Sequence, residues 1–199
     1  AIVEVSGGAS RVLRSSSQEH LSDDLISVAQ AVSWTSSDGE TVHGFYYAPK
    51  NPEFAAPEGS LPPLLVNVHG GPTSSARPGL SIAVQYWTSR GFAFLDVNYR
   101  GSTGYGRKYR QRLNGHWGVL DVQDCAEGAQ YLVSQGLADP ERIAIRGRSS
   151  GGYTVLSALA DSDVFTAGTS LFGIGDLKLL EATTHKFESH YDQFLIGSD

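Results

Sequence analysis

The residues with the clearest chemical promise are Ile143-Ala144-Ile145-Arg146-Gly147-Arg148-Ser149-Ser150-Gly151-Gly152-Tyr153, a short apolar run that enters Gly-x-Ser-x-Gly and continues into small residues. Glycines at 147 and 151 let the chain turn sharply and pass close to itself, which holds Ser149 in a strained conformation with its hydroxyl exposed at a helix start. Such a serine is expected to be a nucleophile toward a carbonyl carbon. A bare Gly-x-Ser-x-Gly is a weak signal, and a glycine-rich structural turn is the alternative. The strand expected before it and the helix expected after it are the context that favours catalysis.

Serine attack places negative charge on the carbonyl oxygen, and backbone N–H groups already aimed at that oxygen are the best donors. The amide of Ser150, next after the nucleophile, is one expected donor. The second is expected from His69-Gly70-Gly71-Pro72, where glycine lets the backbone approach a substrate, so that Gly70 or Gly71 supplies it. His69 is expected to orient this turn by hydrogen bonding rather than to serve as the base.

These groups need a rigid frame. Residues 1 to about 30 read as one strand, Ile2-Val3-Glu4-Val5, followed by Gly7-Gly8 and a polar connector. The β-rich runs Ala31–Thr35 and Thr41–Tyr47 flank Ser37-Asp38-Gly39 and predict a hairpin. Pro63–Val68 and Phe92–Val97 are nearly all apolar, as strands buried on both faces are. Helices are predicted near Leu80–Arg90, over Asp121–Gln135 with Gly136 as a stop, and over Ser150–Ala160; Ala167–Phe172 is a further strand. Strands that alternate with helices in this way predict an α/β fold with a mostly parallel sheet and helices on both faces.

The composition narrows the function. The chain has 199 residues and a net charge of −6, enough length for one large domain and no basic field to neutralise phosphates, so nucleic acid is not expected as a partner. The nearest approach to a basic patch, Arg100, Arg107, Lys108, Arg110 and Arg112, is read as a solvated helix face. No stretch approaches the roughly 20 apolar residues of a membrane helix, and no membrane partner is expected. Cys125 is the one cysteine, and no Cys/His cluster has zinc spacing, so neither a cofactor nor a metal is expected and a reducing cytoplasm is the default location. The chain contains no methionine and stops at Gly197-Ser198-Asp199, which leads us to expect a piece of a longer protein.

Four motifs occur in order: His69-Gly70-Gly71-Pro72, Asn98-Tyr99-Arg100-Gly101-Ser102-Thr103-Gly104-Tyr105-Gly106, Trp117-Gly118-x-x-Asp121-x-x-Asp124, and Gly147-x-Ser149-x-Gly151-Gly152-Tyr153. Together they resemble the prolyl oligopeptidase family, most closely its dipeptidyl-peptidase and acylaminoacyl-peptidase branches, over roughly residues 30–199. The resemblance implies an α/β-hydrolase fold, here lacking its last strands. It also implies that residues 1–30 are the remnant of a preceding β-propeller strand and linker, with 31–199 a partial catalytic domain. Leu177, Leu180 and Phe187 fall where the family has an apolar specificity pocket, although they read equally well as core.

In this fold the nucleophile is followed by an acid and then a histidine, after two more strands. Only 50 residues follow Ser149; His185 and His190 lie in a stretch that resembles the helical region before those strands, and none of Asp161, Asp163, Asp176 or Asp192 follows a strand as required. The acid and base are therefore expected beyond residue 199. The leading expectation is a serine-type peptidase that cleaves short peptides through an acyl-enzyme on Ser149. A carboxylesterase of the same fold and a non-catalytic interaction module remain open, as does homo-oligomerisation.

Overall fold

The computed structural model of the chain describes residues 1–15, 21–183 and 191–196. Two antiparallel strands, β1 (Ile2–Ser6) and β2 (Ala9–Arg14), form a small exposed sheet of their own. The single strand expected here is thus a hairpin, because Gly7 and Gly8 take φ of 59° and 81° and reverse the chain at once.

The main sheet has six strands in the order β3 (Gln30–Thr35), β4 (Thr41–Tyr47), β6 (Ala93–Asn98), β5 (Leu64–Val68), β7 (Ile143–Arg148) and β8 (Ala167–Leu171). β3 and β4 are the predicted hairpin; β4 runs antiparallel to β6, and from β6 to β8 the strands are parallel. β6 is buried along all six residues, as its unbroken apolar run implies.

Side chains alternate between the two faces. On one, Leu64, Val66 and Val68 pack with Val97, Ile145, Cys125, Ala129, Leu132, Val155 and Ala158, the last six drawn from β7, α3 (Leu120–Ser134) and α4 (Ser150–Asp161). On the other, Leu65 packs with Tyr47, Phe94 and Val84 of α1 (Ile82–Thr88). Gly128 lets α3 lie against the sheet, since a Cβ there would sit 2.7 Å from the Trp34 ring.

The basic stretch divides. Arg107, Lys108 and Arg110 are exposed on the short helix α2 (Arg107–Gln111), as expected, but Arg100 is 1% exposed. The expectation of solvent for Arg100 fails because the residue lies in the turn after β6, beneath the β3–β4 hairpin and against α3. There Asp38 and Asp124 take its charge. Among the described residues no helix is long and apolar enough to cross a membrane, and no group of three His, Cys, Asp or Glu side chains is placed to hold a metal ion.

Candidate active site

β5, β6 and β7 are adjacent and parallel, so the loops after their carboxyl ends emerge side by side. These loops carry three of the four motifs, at the edge of the sheet where ligands bind in open α/β folds. Ser149 links β7 to α4 with φ 55° and ψ −125°, a conformation unfavourable to any residue with a side chain. The turn is possible only because its flanking residues lack side chains. A Cβ on Gly147 would lie 2.3 Å from the Gly151 carbonyl oxygen, and one on Gly151 would lie 2.4 Å from that of Val68. The Ser149 amide donates to the Leu171 carbonyl at 3.1 Å, tying the turn to the end of β8.

The His69–Pro72 loop lies directly against this turn. A Cβ on Gly70 would sit 3.5 Å from the Ser149 Cβ and 3.1 Å from the Arg148 carbonyl oxygen, a tight fit that the absence of a side chain relieves. Gly71 takes φ 131°, which again favours glycine. Ser150 opens α4, where first-turn N–H groups have no acceptor within the helix and carry the positive end of its dipole. Its hydroxyl is buried without a hydrogen-bond partner among the described residues. The structure thus gathers Ser149, Ser150, Gly70 and Gly71 at one point.

His69 has both ring nitrogens engaged. Its Nδ1 lies 2.8 Å from the Gly70 carbonyl oxygen and its Nε2 lies 2.8 Å from Ser102 Oγ, while its ring stacks on Tyr99 at 4.4 Å. Burial lowers its pKa to about 4, against the opposing pull of the Gly70 carbonyl, so the imidazole is neutral at pH 7. Tyr99 in turn donates its hydroxyl to the Pro72 carbonyl at 2.7 Å.

Leu177 and Leu180, on α5 (Leu177–Thr183), pack half-buried against the main core; Phe187 lies outside the described residues, as do His185 and His190. Asp121 and Asp124, both of the Trp117–Asp124 motif, tie its helix to neighbouring elements. Asp121 accepts from Thr154 Oγ1 at 2.5 Å and from the Gly118 amide at 2.6 Å, joining the start of α3 to α4. Asp124 accepts from the Arg100 amide at 2.7 Å and from Arg100 Nη2 at 2.6 Å. Burial raises both carboxyls to about 6, opposed by these donors, and both remain ionised at neutral pH. The four motifs therefore close a ring, through His69–Ser102, Arg100–Asp124, Gly70–Ser149 and the bond from Asp121 to Thr154, the residue that follows the fourth motif in α4. Their order along the chain could have suggested joint action, but the partners follow only from the sheet order.

A profile of the prolyl oligopeptidase family matches residues 78–199. The chain belongs to that family. Among solved structures, a puromycin-hydrolysing peptidase of Mycobacterium tuberculosis is 48% identical with a TM-score of 0.94, over 99% of this chain and 30% of that one. The Pyrococcus horikoshii acylaminoacyl peptidase is 32% identical with a TM-score of 0.76, over 88% of this chain and 28% of that one. The dipeptidyl aminopeptidase BIII of Pseudoxanthomonas mexicana is 37% identical over 61% of this chain and 18% of its own length. Within the family, the sheet and its helices are those of the α/β-hydrolase fold. The chain spans less than a third of the length of each of these relatives, 30% of the first and 18% of the last.

Proposed function

We propose that this chain carries the nucleophile and oxyanion donors of a serine-type peptidase that cleaves amide bonds near the N-terminus of short peptides. Ser149 is the nucleophile, and the amides of Ser150 and of Gly70 or Gly71 receive the oxyanion. The observation that carries this reading is the close approach of the Gly70 loop to the strained Ser149 turn, where a Cβ added to Gly70 would lie 3.5 Å from that of Ser149. Two groups of backbone donors flanking one serine suit a tetrahedral intermediate. The names of the relatives, a dipeptidyl aminopeptidase and a puromycin-hydrolysing peptidase, support the substrate class.

The base and its orienting acid are assigned to chain following residue 199, because His69 spends both ring nitrogens on Gly70 and Ser102. The β1–β2 hairpin is assigned to the end of a preceding propeller, joined by a linker to a catalytic domain that starts near residue 31. The buried, free Cys125 suits a reducing compartment such as the cytoplasm. Leu177 and Leu180 retain a second reading as the floor of a specificity pocket.

The test is covalent labelling of the natural full-length protein by a fluorophosphonate, with the modified peptide identified by mass spectrometry. The label is expected on Ser149, with cleavage of aminoacyl or dipeptidyl amides that Ser149→Ala abolishes. Strong ester turnover with no amide cleavage across a broad panel would favour the carboxylesterase. The 199-residue chain alone is expected to be nearly silent, since a histidine base contributes about 10² to 10⁴-fold. Ordinary turnover by that chain would show that a base lies within it.

A further inference from the structure

β3 is the outermost strand of the main sheet at the end opposite β8, and among the described residues no strand pairs with its outer edge. Such an edge presents a row of unpaired N–H and C=O groups, which proteins usually guard with a charged side chain, a proline or a bulge. β3 has none of these. Its residues, Gln30-Ala31-Val32-Ser33-Trp34-Thr35, are uncharged, include no proline and keep an unbroken register with β4 from Gln30 opposite Tyr46 to Thr35 opposite Thr41.

An open cleft of about 640 Å³ runs beside this edge, between Ser33, Trp34 and Thr35 of β3 and Glu127, Tyr131 and Ser134 of α3. Ser33 and Thr35 stand on one face of the strand and Trp34 on the other, so a cleft that all three line follows the edge itself. The helix residues recur at i, i+4 and i+7 and share one face of α3. From Glu127 to Ser134 that face spans about 10 Å at 1.5 Å per residue, the length of roughly three strand residues. Trp34 and Tyr131 stack with ring centroids 6.2 Å apart and give the cleft an aromatic wall.

Glu127 is the one charged side chain among the described residues that line the cleft. Burial opposes its ionisation, but donors from Ser36 Oγ, the Ser37 amide at 3.2 Å and Gln123 Nε2 at 3.1 Å outweigh it, and the carboxyl stays below the usual glutamate range. An extended segment laid here would exchange backbone hydrogen bonds with β3, set alternate side chains against the aromatic wall and bring a cationic one to Glu127.

We propose that the cleft between β3 and α3 is a second peptide site, which takes an extended segment carrying a lysine or arginine as an added strand on the free edge of β3, with its cation held by Glu127. Ser149 follows β7, four strands away in the sheet order and so about 19 Å across at about 4.8 Å per strand. The proposal does not depend on Ser149 as the nucleophile.

The probe is N-acetylated, fluorescein-labelled Val-Thr-Lys-Thr-Val, whose valines and lysine share one face when extended. Its binding is followed by fluorescence polarisation on the natural full-length protein carrying Ser149→Ala, so that turnover does not consume it. Saturable binding is expected, and a copy bearing a benzophenone should photo-cross-link to the β3 and α3 residues of the cleft. Glutamate in place of the peptide's lysine should weaken binding about tenfold, because attraction to Glu127 becomes repulsion. Gln130→Lys, at an exposed position in the same cleft, should weaken the lysine peptide about threefold without disturbing the fold. Backbone N-methylation tests the edge pairing: methyl groups on the threonine amides block one edge of the peptide, and those on the valine and lysine amides block the other. One set should abolish binding and the other leave it nearly unchanged. Absence of saturable binding, cross-links confined to the loops around Ser149, equal effects of the two methylation sets, or indifference to both charge changes would overturn the proposal. Cross-links joining the β3 strands of two copies in the full-length protein would overturn it as well, since the edge would then be taken by self-association.

Discussion

On the β6 side of Ser149, Arg100, Ser102, Asp121 and Asp124 are at most 1% exposed, and each is hydrogen-bonded to a named partner. On the β8 side, Ala167, Gly168 and Thr169 face solvent and Phe172 is 77% exposed. Both sides touch the same turn, one through the Gly70 loop and the other through the bond from the Ser149 amide to Leu171. The difference follows from place in the sheet. β6 has a strand on each side and α3 above it, so polar groups there lose water and must find partners within the protein, whereas β8 lies at the end of the strand order among the described residues. The packed side is the one whose contacts hold the geometry of the site.

The largest effect that would test this contrast is expected from Asp124→Ala. It leaves the Arg100 guanidinium buried with only the half-exposed Asp38 as an acidic partner and should cost about 3–5 kcal/mol in urea denaturation. A loss below about 1 kcal/mol would mean that water reaches Arg100 and that this side is not closed.

The next effect is in pH. Asp96 on β6 accepts from Asn67 Nδ2 at 2.6 Å, yet burial raises its pKa from 3.8 to about 6, with Asn67 and Arg146 opposing. Between those values the folded protein holds a proton that the unfolded chain has released, so the contribution of Asp96 to stability is greatest below about pH 4 and falls as pH rises toward 6, by up to roughly 3 kcal/mol. Asp121 and Asp124 shift the same way. Denaturation midpoints followed from pH 4 to 8 should therefore fall less steeply in Asp96→Asn than in the wild type, and parallel curves would break the assignment.

The smallest effect belongs to the open side. In the 199-residue chain, Phe172→Ser should change stability by no more than about 0.5 kcal/mol, as exposed substitutions do. A loss well above 1 kcal/mol in thermal melting would show that Phe172 is packed in solution and would remove the contrast.

Much of the frame was legible along the chain. The runs Pro63–Val68 and Phe92–Val97 are strands where expected, and the helices over Asp121–Gln135 and Ser150–Ala160 agree to within a residue or so at each end, because hydrophobic periodicity reports local burial directly. The boundary at β7 was less legible. Arg146 and Arg148 are charged, yet the strand runs through them to the nucleophile, since ladder bonds to β5 and β8 outweigh side-chain preference.

By itself the sequence determined the tight turn at Ser149 and the loop at Gly70 and Gly71, because glycine spacing acts through backbone sterics, which are local. Which charges are buried and whom they meet was decided only by the tertiary structure. Arg100 follows a strand and stands near four other basic residues in the chain, and nothing in its neighbourhood along the sequence distinguishes it from them. Its fate depends on β6 lying between β4 and β5, so that the turn after it passes under the β3–β4 hairpin and against α3, where Asp38 and Asp124 wait 62 and 24 residues away. Desolvation is a property of the packed assembly, and so a charged residue in an exposed-looking run becomes the tie that holds four motifs in one ring.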